Sequence, residues 1–288
     1  MTGLKHISYD EYAAIDAVRS SDLKAMSKSP ASYVWAKAHP TDSDNLRLGR
    51  ATHTLVLEPE LFDTEFCEWT GGNRSGKAWT AYRDECEADG LTVLTSLQWD
   101  TAHGIRDAVM AHPVAGPMLR APGVSEGTIV WTDAETGRAC KVRPDRLAQI
   151  DARGTVIDLK KCQRCDAHGF ARTVAEYDYH VQMAMYAAGI EAAFGGLPDV
   201  AIIAAEEKPP HEVAVHTLHG PIGPMDIPSA WDDDDIDPRR YDVLGPGSDE
   251  FHRRLRLLCE CEESGIWPGC APEALRLRLP PWAAGVRA

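Results

Sequence analysis

The chain has no apolar run near the ~20 residues that a membrane-spanning helix needs. Its first residues, MTGLKHISYDEY, also lack the basic patch followed by an apolar stretch that marks a secretory leader. These absences predict a soluble, cytoplasmic protein without a membrane partner. The eight cysteines, Cys67, Cys86, Cys140, Cys162, Cys165, Cys259, Cys261 and Cys270, are irregularly spaced and are expected to be mostly reduced. Positive charge is scarce. Thirty Lys and Arg stand against 44 Asp and Glu, for a formal charge of −14, which argues against a general nucleic-acid coat protein because phosphate binding draws on clustered basic residues. At 288 residues the chain can bury a full core and lies near the upper end of one domain. One domain over 1–288 is expected, with a helical arm over 1–45, a core over 46–220, and a loop with a helical extension over 221–288.

The basic residues that exist are concentrated. Lys141, Arg143, Arg146, Arg153, Lys160, Lys161, Arg164 and Arg172 fall close together, whereas much of the acid lies elsewhere, notably Asp232 to Asp235 and Asp237. The stretch KVRPDRLAQIDARGTVIDLK, from Lys141 to Lys160, has the alternation of two β-strands. In the first, Ala139 to Leu147, the residues Lys141, Arg143, Asp145 and Leu147 share a face. In the second, Thr155 to Lys161, Val156, Asp158 and Lys160 point one way while Ile157 and Leu159 point the other. Asp151 to Gly154 is turn chemistry, with a glycine able to take positive φ. The expected hairpin brings Asp145 near Asp158 and Lys160. Two carboxylates can hold a hard divalent cation that grips a phosphate and activates a water, and the lysine can orient that water or offset developing charge. An isolated D-x-K is more often a pair of surface salt bridges.

Flanking segments supply further expectations. Ser20-Ser21 can cap a helix through Met26, and Ser29-Pro30 can open a second that carries Tyr33, Val34 and Trp35. LRLGRATHTLVLEP reads as a helix with Leu48, Thr52, Leu55 and Val56 on one face, Gly49 and His53 a turn apart, and Pro59 as its stop. Gly49 suggests a close backbone approach, and a lone His53 is more often a satisfied helix histidine than a ligand. GGNRSG (71–76) reads as a loop whose Arg74, together with Lys77, could touch phosphate. Helices are expected over Leu97 to His112 and from Pro113 to Leu119. Gly127 to Thr132 is a clear strand, and Glu126 just before it is either a carboxylate supporting the site from behind or an ordinary polar strand end. After Lys160 a polar loop should lead to a helix over Tyr179 to Ile190, with Gln182 and Tyr186 on one face. Val200 to Glu206 and Glu212 to Leu218 complete five strand candidates. Gly220 to Asp249 reads as a long loop and Glu250 to Glu263 as a helix.

Taken in order, Gly49-x-x-x-His53, Asp145, Asp158-Leu-Lys160 and Gln182-x-x-x-Tyr186 resemble the PD-(D/E)XK nucleases of RecB type. The wider wording is similar to the exonuclease VIII (RecE-like) family in SSDLKAMSKSPASY, LGRATHTLVLEPELF, EGTIVW, CKVRPDRLA, VIDLKK and YDYHVQMAMYAAG. The resemblance covers roughly residues 5 to 220. It implies an α/β fold with a central mixed sheet of about five strands flanked by helices. It also implies a magnesium site, with manganese as substitute, held by His53, Asp145, Asp158 and the Leu159 carbonyl, with Lys160 as the catalytic lysine. Gln182 and Tyr186 would border the DNA cleft. The implied activity is digestion of the 5′-ended strand from duplex DNA ends, leaving 3′ single strands for recombination. The implied setting is a phage or prophage, with a homo-oligomeric ring and a single-strand annealing recombinase as partner. Two alternatives stay open: a RecB-like repair or adaptation nuclease of other polarity, and a catalytically idle DNA-end or protein-binding module.

Some RecB-type nucleases carry an iron–sulfur cluster, which needs four thiolates. Here the only grouping is Cys259-x-Cys261 with Cys270, and neither Cys67 nor Cys86 precedes the Gly49 to His53 helix. Cys162-Gln-Arg-Cys165 has the spacing of a zinc pair, but no second pair completes it. Neither iron–sulfur cluster nor zinc is therefore expected.

Overall fold

A computed structural model describes residues 3–150, 154–219, 243–271, 273 and 274. The chain opens with β1 (Leu4–Lys5), α1 (Tyr9–Ala14), α2 (Ser20–Lys28), α3 (Pro30–Ala38) and α4 (Asp44–Leu57). A 3-10 turn at Pro59–Leu61 and the short α5 (Phe62–Glu65) lead to β2 (Phe66–Trp69), α6 (Gly76–Ala88), β3 (Thr92–Thr95), α7 (Ser96–Ala111) and α8 (Ala115–Arg120). Four strands follow, β4 (Gly123–Ser125), β5 (Thr128–Thr132), β6 (Ala139–Val142) and β7 (Arg146–Ala148), and then the long β8 (Thr155–Cys162). The remainder is α9 (Ala167–Glu176), α10 (Tyr179–Phe194), β9 (Asp199–Glu206), β10 (Val213–His219) and α11 (Leu244–Ser264).

The central sheet has five strands in the order β10-β9-β8-β7-β4. It is mixed: β8 and β9 run parallel, and the other pairs are antiparallel. A three-stranded sheet, β1-β5-β6, and a parallel β2-β3 pair stand beside it. β8 shows why the sheet holds together. Val156 packs into a core with α2, α10 and α11, while Ile157 and Leu159 enter the opposite core with α4, α7 and α8. The alternation expected of this strand is therefore observed, and both faces of the sheet are covered.

The expected strand from Ala139 to Leu147 is instead two strands in two sheets. β6 pairs with β5 through Val142 and Ile129, whereas β7 pairs with β8 through Arg146 and Ile157. The break falls at Arg143-Pro144. Proline has no N–H for a ladder and restricts the residue before it, so the chain leaves one sheet and enters the other there. The face shared by Lys141 and Asp145 does not survive the break. Similarly, the expected Gly127 to Thr132 strand is present as β5 but lies outside the five-stranded sheet, and its place is filled by three-residue β4. Such a short strand leaves little periodicity to read.

Helix signals give good accounts of the ends they can specify. Ser29 caps α3 by accepting from the Ser32 N–H, with Pro30 in the first turn. Ser43 caps α4, whose Leu48, Thr52, Leu55 and Val56 are buried as expected. Ser20 itself is helical and Arg19 occupies the cap position, its N–H donating to Asp22 Oδ2 at 3.0 Å. The polar segment after Lys160 contains α9, capped by Asp166, and α11 starts at Leu244, before the expected Glu250. A Cβ on Gly49 would only touch the Lys161 side chain at 4.0 Å, so no close backbone approach requires that glycine. Gly247 does meet such an approach: a Cβ there would lie 2.3 Å from the His180 carbonyl, where α11 crosses α10. The expected turn residues 151–153, with Arg153, and most of the expected loop from 220, with its acidic run, lie outside the described residues.

Candidate active site

Three elements converge where β7 begins and β8 continues past the β7–β8 pairing. α4 carries His53, the residue preceding β7 is Asp145, and β8 carries Asp158 and Lys160. Past the last ladder pair, the Leu159 N–H donates to Asp145 Oδ2 at 2.7 Å, and His53 Nδ1 lies 3.4 Å from the same oxygen. In a strand both the N–H and C=O of one residue leave by the same edge, so the Leu159 carbonyl faces the Asp145 side as well. Lys160 Nζ contacts Asp158 Oδ2 at 2.5 Å and sits 4.8 Å from the centre of the Tyr179 ring. From α10, Gln182 Nε2 donates to Asp158 Oδ1 at 3.4 Å and to Tyr186 Oη at 2.7 Å.

Glu126 joins this cluster. Its N–H donates to the Asp145 carbonyl at 3.1 Å, and its carboxylate accepts from Arg143 Nε at 2.7 Å. One donor atom each of His53, Glu126 and Asp145 lies within 4.8 Å of the others. Glu126 is thus positioned to be a direct ligand, beyond the supporting role that sequence position alone suggested. The signal was available only as a carboxylate beside a strand.

The charges push on one another strongly. Burial and then the Asp145 carboxylate raise Asp158 to about 6, against the pull of Lys160. Burial and Asp145 raise Glu126 to about 7, opposed by Arg143 and His53. Burial would raise Asp145 too, but His53, Lys160 and the Leu159 N–H outweigh it and hold the group below the usual carboxylate range. Burial opposes protonation of His53, yet Asp145 prevails and lifts it to about 9. Lys160 likewise stays an ammonium because Asp158 and Asp145 outweigh its burial. Asp158 Oδ2 is fully buried and has no aligned hydrogen bond, only the ion contact with Lys160. A buried carboxylate oxygen without a hydrogen bond, close to further carboxylates and an imidazole, suits a divalent cation. His53, Glu126, Asp145 and Asp158 are the side chains that could hold it.

A family model described as the PDDEXK-like domain of unknown function (DUF3799) matches residues 19–222. The chain belongs to this PDDEXK-like family. The matched span of the PDDEXK-like domain runs from α2 through β10, so it contains every site residue above and leaves out α11. The crystal structure of a protein described as a putative exonuclease from Eubacterium rectale has the same overall fold, with a TM-score of 0.57 at 13% sequence identity over 98% of each chain. No curated protein matches the sequence. Among the described residues, no helix is long and apolar enough to cross a membrane.

The basic residues near the PDDEXK-like site do not form the single face that their clustering suggested. Lys141 is buried on α1, donating to the carbonyls of Tyr12, Ala13 and Ile15 at 2.8, 3.2 and 2.7 Å. Arg143 is held by Glu126 and the Ile7 carbonyl, and Arg146 by Ser125 and the Ala121 carbonyl. Lys161 is on the opposite face of β8 from Lys160 and pairs with Glu207 at 3.0 Å. Arg74, considered for phosphate, pairs with Asp44. Tyr186 is buried at 6% exposure and reaches the cluster only through Gln182. Tyr179, which sequence reasoning placed only in a helix stripe, is the ring beneath Lys160.

Proposed function

We propose that the chain is a divalent-metal-dependent deoxyribonuclease that hydrolyses phosphodiester bonds from the ends of duplex DNA. The observation that carries this reading is the convergence of Asp145, Asp158 and Lys160 with His53, beside Gln182, in one partly enclosed cluster. A divalent cation bound there would supply an activated water and a counter-charge for the phosphate. Asp145, with its oxygen fixed by the Leu159 N–H, and Asp158, steadied by Gln182, would hold such an ion, with the Leu159 carbonyl as a further donor. Lys160 remains protonated, so it orients the attacking water and offsets charge on the phosphate. Its contact with Asp158 and the Tyr179 ring restricts the ammonium to the site. Oxygen-rich donors with a single imidazole favour Mg2+, with Mn2+ as substitute.

The finer reading rests on the resemblance to the exonuclease VIII family. It comprises 5′ to 3′ digestion in the cytoplasm, 3′ single strands delivered to an annealing recombinase, and a homo-oligomer. The decisive experiment follows linear and circular duplex DNA, labelled at the 5′ or the 3′ end, with and without Mg2+. Magnesium-dependent loss of the 5′ label from linear DNA alone is expected. Early loss of the 3′ label would replace the polarity with that of a RecB-like repair nuclease. Cleavage of circles would make the enzyme an endonuclease, and binding without cleavage would overturn the enzymatic reading altogether.

A further inference from the structure

The strand that carries Asp158 and Lys160 ends in Cys162-Gln-Arg-Cys165. β8 and β9 stay in parallel register up to Cys162 and Glu206. The β9–β10 turn then brings the chain back, with the Glu206 N–H donating to the Glu212 carbonyl at 2.8 Å. Two residues far from Cys165 in sequence are thereby delivered to it. The Cys165 sulfur and one carboxylate oxygen from each of Glu206 and Glu212 lie within 4.8 Å of one another.

Glu206 Oε1 accepts from the Cys165 backbone N–H at 2.9 Å, which accounts for the Cys165–Glu206 contact alone. It does not explain the rest. Among the described residues, neither Glu206 nor Glu212 forms an ion pair; Lys161 pairs with Glu207 and Arg164 with Asp166. Cys162 and Cys165 are each only 6% exposed, and their two-residue spacing is that of a knuckle that presents sulfur to a metal. The turn is also firmly seated. His211 Nδ1 is 3.0 Å from the Glu206 carbonyl oxygen, and its ring packs so closely on α7 that a Cβ on Gly104 would lie 2.4 Å from Nε2.

We propose that Cys162, Cys165, Glu206 and Glu212 form a second metal site, for a borderline-soft divalent cation of which Zn2+ is the type. Zinc takes sulfur at about 2.3 Å and carboxylate oxygen at about 2.0 Å in a tetrahedron, which puts ligand atoms about 3.5 Å apart. The Cys165, Glu206 and Glu212 donor atoms already lie within 4.8 Å of one another, and Glu212 is exposed and free to rotate closer, while Cys162 joins them through its two-residue spacing from Cys165. Binding replaces the thiol protons, which pass to solvent. Thiolate ligands separate this site from the active-site cluster, whose oxygen and imidazole donors suit a hard cation. The bound metal would tie the end of β8 to the β9–β10 turn.

The test is titration of reduced, chelator-stripped full-length protein with Co2+ in excess Mg2+, which occupies the hard site. A sulfur-to-cobalt charge-transfer band should rise to one Co2+ per chain and be displaced by Zn2+. Cys165→Ser and Cys162→Ser should each abolish it, and Glu212→Gln should weaken Co2+ binding by about tenfold or more. Cys67 and Cys86, whose sulfurs lie 2.8 Å apart, are the competing thiols, and C67S and C86S should leave the band intact. Zn2+ should raise the Tm of the parent protein by mass action. Absence of the band at saturating Co2+ overturns the site, as does its loss in C86S or its persistence in C162S or C165S. Should a cysteine variant fail to fold, unchanged Co2+ affinity in Glu212→Gln overturns it equally. The readout is a spectrum, so its result stands apart from any nuclease activity.

Discussion

The Leu159 N–H fixes Asp145 Oδ2 at 2.7 Å, just past the point where the ladder between β7 and β8 stops. The backbone of one strand thus sets the orientation of a carboxylate carried by the other. His53 then approaches the same oxygen from α4 at 3.4 Å. An acid placed in this way is preorganised before any ligand arrives, and several expectations rest on that arrangement.

Asp145→Asn and Asp158→Asn should each remove metal affinity and turnover together. Lys160→Ala should retain the metal and lose about 100-fold or more in rate, the scale typical of a lost charge-stabilising group. Calcium should occupy the site yet support little cleavage. Calorimetric metal titration alongside an end-labelled DNA assay separates the two effects. Lys160→Ala cleaving at the parent rate would refute the role given to the lysine.

Tyr186 is buried and touches the cluster through Gln182, so Tyr186→Phe should act on kcat and not on KM. Gln182→Leu should be worse, because it releases Asp158 as well as Tyr186; a drop of about tenfold is expected for loss of a positioning contact. Steady-state kinetics on linear duplex make the distinction. A pure KM effect from Tyr186→Phe would instead place the tyrosine against DNA.

Lys141 should matter for folding and not for DNA. Its ammonium satisfies three carbonyls at the end of α1 and lies 4.7 Å from the centre of the Tyr12 ring. Lys141→Met removes the ammonium from all three and leaves the Tyr12 and Ile15 carbonyls only their backbone donors, at a cost of about 1–3 kcal/mol. Urea unfolding should register that loss, and limited proteolysis should cut the first helices sooner. The salt dependence of DNA binding should stay as in the parent, and a shallower salt slope would show a phosphate contact after all.

Acid stability should depend on Glu250. Hydrogen bonds from Arg253 and then Arg254 outweigh its burial and hold its carboxyl down to about 2, below the ~4.3 of an unfolded chain. A depressed folded-state value contributes stability that is complete above the unfolded value and is lost as the pH falls through the folded one. The advantage of the parent over Glu250→Gln should therefore be full near neutrality and shrink between about pH 4 and pH 2. Urea midpoints across that range measure it. A difference that stays constant with pH would show that the glutamate contributes through packing alone.

Local pattern was enough to place the strand that carries the chemistry. The alternation of Thr155 to Lys161 specified which side chains enter which core, because a strand buried on both faces must match its own period of two. Ser29-Pro30 and the Leu48, Thr52, Leu55, Val56 face specified their helices for the same kind of reason, since capping and periodicity act within a few residues. The order of His53, Asp145, Asp158, Lys160 and Gln182 along the chain indicated the PD-(D/E)XK superfamily before any fold was known.

Other features depended on where distant segments meet. Nothing in the alternation of 139–147 says that β6 and β7 belong to different sheets; sheet membership follows from which partner each half finds once Pro144 interrupts the ladder. Lys141 and Arg143 carry charge that looks available in the sequence, but the N-terminal segment folds over them and consumes their donors. Glu126 becomes part of the His53–Asp145 cluster, and Glu206 and Glu212 reach Cys165, through strand register and a turn. The sequence by itself determined the local faces and the chemical inventory. Only the tertiary structure decided which charges are neutralised internally and which donors converge, because both are set by contacts between residues tens of positions apart.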